Sequence, residues 1–196
     1  MFRWKRGRPV RIERAARTGS VSKKRIERVS HAVRTSRPRS QQCSESEHDI
    51  DLKLKMITIE SHDLAEMRRH GERDYPFECC GLMLGQFKSS GHKIVVETYP
   101  ISNAREEEAK RNRFLIRPEE LMRGEKYARE KGLDVVGFYH SHPDEPAIPS
   151  KYDLDHAWPT YSYIVVSVEK GHAVDLRSWE MEPDRSRFDE EAIAES

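Results

Sequence analysis

The stretch GFYHSHPDEPAIPSKYDLDHA, residues 137–157, decides how this chain is interpreted. It continues an apolar run over residues 134–139, which predicts a buried strand. His140 and His142 follow, and residues two apart on a strand project to the same face, so both imidazoles can reach one ion. Three prolines within residues 143–149 then predict a stiff loop instead of more strand.

Ser150 and Asp153 complete the pattern. Ser150 is placed to cap a short helix that contains Asp153, and such a cap would aim the Asp153 carboxylate back at the imidazoles. Two neutral imidazoles and one carboxylate make a three-ligand zinc site with a fourth position for water. Zinc accepts mixed nitrogen and oxygen ligands and has no redox chemistry to control. Zinc lowers the pKa of bound water from ~15.7 to about 7, so the pattern indicates a hydrolase.

A hydrolase of this kind also needs a general base. Glu78, in the segment YPFECCGLMLG (75–85), precedes a predicted strand and is our candidate. His156 is near enough to Asp153 to compete with it as a ligand, but we interpret it as a packing or surface residue. Taken singly, each of these residues has an ordinary structural explanation, such as a helix cap or a solvated first-turn acid. Only the combination predicts a site.

The rest of the pattern predicts a mixed α/β (α+β) domain over residues 56–196. Its sheet should be mostly antiparallel and flanked by helices. Ser61 should cap a first helix that ends before Tyr75, and a second helix should cover residues 118–131. The predicted strands cover residues 56–59, 81–86, 94–99, 134–139, 161–168 and 173–180, with a final edge strand near Phe188.

The charge is distributed unevenly along the chain. Residues 1–55 carry 16 Lys and Arg against 6 Asp and Glu, whereas the remainder carries 19 against 28. The first segment has no apolar period and is expected to be disordered. It could bind nucleic acid or act as a transit peptide. We favour a third interpretation, in which translation starts at Met56 and the segment has no function, so a nucleic-acid partner is not expected.

The three cysteines, Cys43, Cys79 and Cys80, do not predict a disulfide framework, because their number is odd and two of them are adjacent. We expect Cys79 and Cys80 to be small buried residues. No apolar run approaches the ~20 residues that a membrane span requires. The expected location is therefore the cytoplasm, in a soluble form.

Together these residues resemble the JAMM, or MPN+, family of zinc metallopeptidases. The family signature is an upstream Glu, then His-x-His, seven residues, Ser, two residues and Asp, and this chain matches it at every position and spacing. The resemblance implies a fold similar to cytidine deaminase and one zinc ion held by His140, His142 and Asp153. It also implies that Glu78 is the general acid/base and that Ser150 donates a hydrogen bond to the oxyanion.

The sequence around the signature looks like that of the small, stand-alone bacterial branch of this family. By that resemblance the enzyme would cleave after the C-terminal Gly-Gly of a ubiquitin-like or sulfur-carrier protein, as a peptidase or isopeptidase. Two alternatives stay open. One is a non-catalytic MPN scaffold. The other is a RadC-like protein associated with DNA repair, although such chains usually carry Asn where Ser141 stands.

Overall fold

The computed structural model describes residues 55–196. The prediction of a disordered arm lies outside the described residues, except at Lys55. The helices and strands predicted from the sequence are present. In chain order they are β1 (Met56–Ile59), α1 (Ser61–Asp74), β2 (Cys80–Phe87), β3 (Lys93–Ile101), α2 (Pro118–Glu130), β4 (Asp134–Pro143), α3 (Lys151–His156), β5 (Ser162–Glu169), β6 (His172–Met181) and β7 (Phe188–Glu195).

The sheet is a closed ring with the strand order β1-β3-β2-β4-β5-β6-β7. Four neighbouring pairs are antiparallel and three are parallel, so the prediction of a mixed, mostly antiparallel sheet is confirmed. The predicted edge strand near Phe188 requires an open sheet, and this sheet is closed. Ile57 of β1 pairs with Lys93 of β3 on one side and with Ile193 of β7 on the other. For the same reason the strand at Phe188 is not an edge strand.

Irregular registers help the sheet to close. The pairing shifts at two places along β2 and at one place on β5. A bulge bends a strand and increases its local twist, which brings distant strands of a sheet toward each other. Closure also removes the exposed strand edges that an open sheet would present to other chains.

The two long helices cover opposite faces of the sheet. Leu64 and Met67 of α1 pack with Met83 of β2 in the larger hydrophobic cluster. Leu82 and Leu84, the neighbours of Met83, point the other way and pack against the α2 side. This alternation follows from the two-residue period of a strand. The expectation of flanking helices is therefore confirmed around a sheet that is closed.

Two glycines allow α1 and β2 to approach β4 closely. A Cβ atom on Gly71 of α1 would lie 3.2 Å from Cβ of Ser141, and one on Gly81 of β2 would lie 2.3 Å from the Tyr139 ring. Glycine inside a helix costs about 1 kcal/mol relative to alanine. In α1 that cost is offset by packing of the helix against the strand that carries the two histidines.

Three local expectations have different outcomes. Pro118 begins α2 as predicted, and Gly132, with φ of 71°, follows its end. The prediction that Ser61 caps α1 is wrong, because the N-cap is Glu60 and the Ser61 hydroxyl donates to Glu195. β4 also extends beyond its predicted end at Tyr139, because β5 pairs with it in parallel as far as Pro143.

Among the described residues, no helix is both long and apolar enough to cross a membrane.

A buried ion cluster reinforces the closure of the sheet. The Lys93 ammonium on β3 donates to Glu180 on β6 at 2.7 Å and to Glu191 on β7 at 3.3 Å. The Ser178 hydroxyl donates to Glu191 at 2.7 Å. Lys93 and Glu191 are both almost fully buried. Since β1 lies between β3 and β7, these contacts tie together strands on both sides of the closing strand.

We expect Lys93→Ala to lower the free energy of unfolding by about 3–5 kcal/mol, because it leaves Glu191 as an uncompensated buried charge. Urea unfolding followed by circular dichroism would measure the loss. Lys131→Ala is the matched control, since its pair with Glu97 is largely exposed and should contribute less than about 1 kcal/mol. Equal losses in the two variants would contradict this account.

Candidate metal centre

The two histidines converge at the carboxyl end of β4. The Nε2 atoms of His140 and His142 are 3.1 Å apart, and both side chains are buried. They lie on one face of a strand that pairs with β2 on one side and β5 on the other. The expectation that both imidazoles can reach one ion agrees with this geometry.

Asp153 reaches the histidines through a capping box. The Ser150 hydroxyl accepts from the Asp153 backbone N–H at 3.2 Å, and the Ser150 backbone N–H donates to Oδ2 of Asp153 at 2.6 Å. The hydroxyl also donates to the same Oδ2 atom at 2.7 Å. The predicted cap at the start of α3 is confirmed. It holds the carboxylate 3.7 Å from Nε2 of His140 and 3.6 Å from Nε2 of His142.

These distances suit a single small cation. One ligand atom from each of His140, His142 and Asp153 can be chosen so that all three lie within 4.8 Å of one another. Zinc bonds of about 2.0–2.1 Å in tetrahedral geometry place neighbouring ligand atoms about 3.3 Å apart. The two Nε2 atoms are 3.1 Å apart, and Oδ1 of Asp153 lies 3.7 Å from His140 while Oδ2 lies 3.6 Å from His142, so each imidazole has a carboxylate oxygen near that distance. The cluster can therefore hold a metal ion with little movement of its side chains.

The surroundings orient His142 for this role. Its Nδ1 atom lies 3.0 Å from the Pro146 carbonyl oxygen, which can only accept, so Nδ1 carries the proton and Nε2 faces the cluster. Burial lowers the pKa of His142, but Asp153 and the Pro146 carbonyl raise it more, and the net direction is upward. A metal at Nε2 would displace the proton that this environment favours.

The surroundings favour the neutral form of His140 and the ionised form of Asp153. Burial lowers the pKa of His140 and favours the neutral imidazole that a metal needs. Burial alone would raise the pKa of Asp153, but the adjacent His140 and His142 imidazoles and the hydrogen bond from the Ser150 hydroxyl hold it well below its usual range. The cluster thus presents one neutral ring and one ionised carboxylate at neutral pH.

Glu78 lies beside the cluster because of strand register. Cys80 pairs with His140, and the Ser141 backbone N–H donates to the Cys79 carbonyl at 3.2 Å. Continuing this antiparallel register by one residue puts Glu78 opposite His142, and opposite residues share a face. Burial raises the pKa of Glu78 to about 8, and the Asp153 charge adds to this. A buried carboxyl group with a raised pKa is suited to proton transfer near neutral pH.

Three residues make contacts around the centre that the sequence does not predict. Asn103 lies in the connection between β3 and α2, at the start of a polar stretch, 103–112, whose composition predicts an exposed loop. Its amide donates to the carbonyl oxygens of Glu78 at 2.9 Å and Arg113 at 3.0 Å. The Phe114 ring stacks on His140 at 4.8 Å. The only signal in the sequence was that an Asn and an aromatic residue sit in a charged segment.

Ser141, the residue between the two histidines, is the third of these. Its hydroxyl accepts from the Cys79 backbone N–H at 2.9 Å, and the residue is fully buried. This bond holds the start of β2, and therefore Glu78, against the end of β4.

Other candidate ligands lie apart from the cluster. His156 is exposed, and its Nδ1 donates to the Tyr152 carbonyl oxygen at 2.8 Å. Cys79 and Cys80 are fully buried free thiols, as expected, and burial raises the pKa of Cys79 to about 12. Cys43 lies outside the described residues.

The site combines two imidazoles and a carboxylate at metal-ligand distance with a second buried carboxyl group opposite them. These are the components of a hydrolase built around one metal ion. The fold and the site define this class. The family model described as prokaryotic homologs of the JAB domain matches residues 60–182. The chain belongs to this family, and the resemblance to JAMM/MPN+ proteins is confirmed.

Relatives with assigned names are hydrolases. A desampylase of Haloferax volcanii is 35% identical over 105 residues, which are 53% of this chain and 72% of that protein. A probable TtuB-protein conjugate cleaving protease of Thermus thermophilus is 29% identical over 106 residues, which are 54% of this chain and 66% of that protein. A CysO-cysteine peptidase of Mycobacterium tuberculosis is 27% identical over 125 residues, 63% and 82% of the two chains.

Solved structures also match. The solution structure of a protein from Desulfitobacterium hafniense has 31% identity and a TM-score of 0.63, and covers 72% of this chain and 93% of its own. The solution structure of a protein from Salinibacter ruber has 38% identity and a TM-score of 0.58, and covers 71% and 91%. Each alignment covers most of this chain and most of the solved structure, so the shared fold extends across the described domain.

We expect Glu78→Gln to stabilise the metal-free protein at pH 8 much more than at pH 5. The folded-state pKa of Glu78, about 8, is above its ordinary value of 4.5, because burial disfavours the ionised carboxylate. The folded wild-type protein is therefore most stable below pH 4.5, where Glu78 is protonated in both states, and it loses stability as the pH rises toward 8. The glutamine side chain of the variant cannot ionise and does not suffer this loss. The gain at pH 8 should be roughly 1–4 kcal/mol. Urea unfolding in the presence of a chelator measures it, and an equal effect at both pH values would contradict the raised pKa.

Proposed function

We propose that this chain is a zinc metallopeptidase that hydrolyses the bond after the C-terminal Gly-Gly of a ubiquitin-like or sulfur-carrier protein. The observation that carries the proposal is the convergence of His140, His142 and Asp153 with buried Glu78 opposite them. The family match over residues 60–182 falls within the proposed catalytic domain, 56–196. Residues 1–55 stay outside that domain in this proposal, apart from the contact that Lys55 makes with Glu182.

His140 and His142 would bind zinc through Nε2, and Asp153 through a carboxylate oxygen. When bound, zinc supplies Lewis acidity, which makes hydroxide available near neutral pH and polarises a carbonyl group. The protein contributes the orientation of the ligands. The Pro146 carbonyl fixes the His142 ring, and the Ser150 backbone N–H fixes the carboxylate.

Glu78 would act as the general acid/base. Its carboxylate takes a proton from the attacking water and returns it to the leaving amine. Burial favours the protonated form, while the charges of His142, Arg113 and Arg105 favour the ionised form. This balance lets the same group accept and then release a proton near neutral pH. The Asn103 amide, bonded to the Glu78 carbonyl, holds the backbone that carries it.

Ser150 would donate a hydrogen bond to the oxyanion of the tetrahedral intermediate. Its single hydroxyl proton is directed at Asp153 in this structure. Turning that proton toward the substrate costs one hydrogen bond, but the Ser150 backbone N–H still donates to Asp153 and the hydroxyl still accepts from the Asp153 N–H. The cap can therefore keep the carboxylate in place while the hydroxyl changes partner.

The names of the relatives support both the reaction and the substrate class. They include a protease that cleaves TtuB-protein conjugates and a peptidase of CysO-cysteine. Both names describe cleavage at a bond between a carrier and an attached group. The site residues and these names favour a hydrolase over a metal-free scaffold. A cytoplasmic location and the absence of a nucleic-acid partner remain parts of the proposal.

Elemental analysis tests the metal site directly. We expect about one zinc per chain in the purified protein and little in Asp153→Ala, because two imidazoles alone hold zinc weakly. His156→Ala is the matched control and should keep its zinc. Retention of zinc in Asp153→Ala with loss in His156→Ala would mean that the ligands are misassigned. No zinc in the wild type after zinc is supplied would contradict the hydrolase.

Glu78→Gln should keep zinc but lose at least about a hundredfold in kcat, because only proton transfer is removed. The substrate would be a carrier protein extended beyond its Gly-Gly, with products followed by mass spectrometry. Glu119→Gln, a change of the same kind on exposed α2, should keep full activity. Loss of zinc from Glu78→Gln would show that Glu78 is a ligand instead of a base.

A further inference from the structure

Two arginines beside the centre lack carboxylate partners. Arg105 and Arg113 belong to the connection between β3 and α2, and both are half-buried. Within residues 55–196, no carboxylate oxygen lies within 4.0 Å of either guanidinium. The Nε atom of Arg105 is buried and has no hydrogen-bond partner in that part of the chain. Half-buried guanidinium groups usually have a partner, because an unpaired buried donor is costly.

The two guanidinium groups share one aromatic ring. The Arg113 guanidinium carbon lies 4.5 Å from the centroid of the Tyr152 ring, and that of Arg105 lies 5.7 Å from it. Arg105 also donates to the Tyr152 hydroxyl. The ring stabilises each cation, but two like charges at one ring repel each other. An anion bound between them would relieve that repulsion.

This arginine pair is next to the metal ligands. Tyr152 immediately precedes Asp153 on α3. Phe114, which follows Arg113, stacks on His140. The pair therefore lies beside the centre, held by neighbours of two of the proposed ligands.

The arginine pair also lies near the proposed general base. The Arg113 carbonyl shares the Asn103 amide with the Glu78 carbonyl. This shared amide puts the backbone of Arg113 beside the backbone that carries the proposed general base.

We propose that Arg105 and Arg113 form a subsite for the α-carboxylate of the leaving group. The enzyme would then prefer a carrier whose Gly-Gly is extended by a single amino acid with a free carboxylate. This inference rests on the proposed function, because it specifies the substrate at the same site. Guanidinium groups bind carboxylates through paired, charge-assisted hydrogen bonds, which gives the subsite its chemistry.

The preference follows from covalent geometry. In an amino-acid adduct, the α-carboxylate lies within about 3.8 Å of the scissile nitrogen, the length of one residue. In an isopeptide conjugate the leaving nitrogen is followed by the uncharged methylenes of a lysine side chain. Hydrolysis in either case adds hydroxyl to the glycyl carbon and a proton to the leaving amine. Only the adduct presents an anion to the arginine pair.

The test compares two synthetic peptides with the full chain and supplied zinc. Both end in Gly-Gly-Ala, one with a free carboxylate and one with a C-terminal amide. We expect kcat/KM to favour the carboxylate peptide by roughly tenfold to a hundredfold. In Arg105→Gln and Arg113→Gln the ratio should fall toward one. Arg123→Gln, which removes an arginine from exposed α2, should keep the wild-type ratio.

Three results would overturn the inference. They are equal rates for the two peptides in the wild type, an unchanged ratio in both arginine variants, or an equal loss for both peptides in those variants. The last would mean that the arginines act on both substrates alike, through the carrier or through their charge near Glu78, and not on the carboxylate of the leaving group. Circular dichroism and zinc content of each variant separate these results from misfolding.

A binding measurement separates this inference from the proposed function. If the wild type cleaves neither the peptides nor a carrier protein extended beyond its Gly-Gly, the proposed function fails, and titration of the full chain with the same peptides by NMR decides the inference. A lower Kd for the carboxylate peptide, lost in Arg105→Gln and Arg113→Gln, would support the subsite. Equal Kd values for the two peptides would overturn it.

Discussion

The candidate centre depends on how the start of β2 pairs with the end of β4. The Cys79 backbone N–H donates to the Ser141 hydroxyl, and the Ser141 N–H donates to the Cys79 carbonyl. These two bonds set the register that puts Glu78 opposite His142. A slip of one residue would move the Glu78 side chain to the other face of the sheet, away from the imidazoles.

The rest of the structure holds that register in place. Gly71 lets α1 pack against Ser141, and Gly81 leaves room for the Tyr139 ring across the same pair of strands. On the other side, β5 pairs in parallel with the segment that carries the histidines. The centre therefore lies on a strand with partners on both sides, and strands position side chains more accurately than loops do. The capping box of Ser150 and Asp153 supplies the remaining ligand from a short helix.

The charged groups of the site differ in protonation state because their electrostatic environments differ. Burial keeps His140 neutral and raises the pKa of Glu78, while His140 and His142 keep Asp153 ionised. One carboxyl group is thus suited to binding a cation and the other to carrying a proton. Two carboxyl groups with different environments commonly have such different roles in hydrolases. The nearby arginine pair favours the ionised form of Glu78, but it has no carboxylate partner of its own within residues 55–196, which is why we assign it to the substrate.

The sequence by itself determined the helices and strands, the His-His-Asp set and the cap at Ser150, because these depend on residues close together in the chain. Periodicity, proline positions and capping are local and can be recognised without knowing the fold. Only the tertiary structure decided that the sheet closes through β1, that Asn103 and Phe114 reach the centre, and that Arg105 and Arg113 meet on Tyr152. These contacts join segments far apart in sequence, and no local pattern specifies which strand edges or loops will meet.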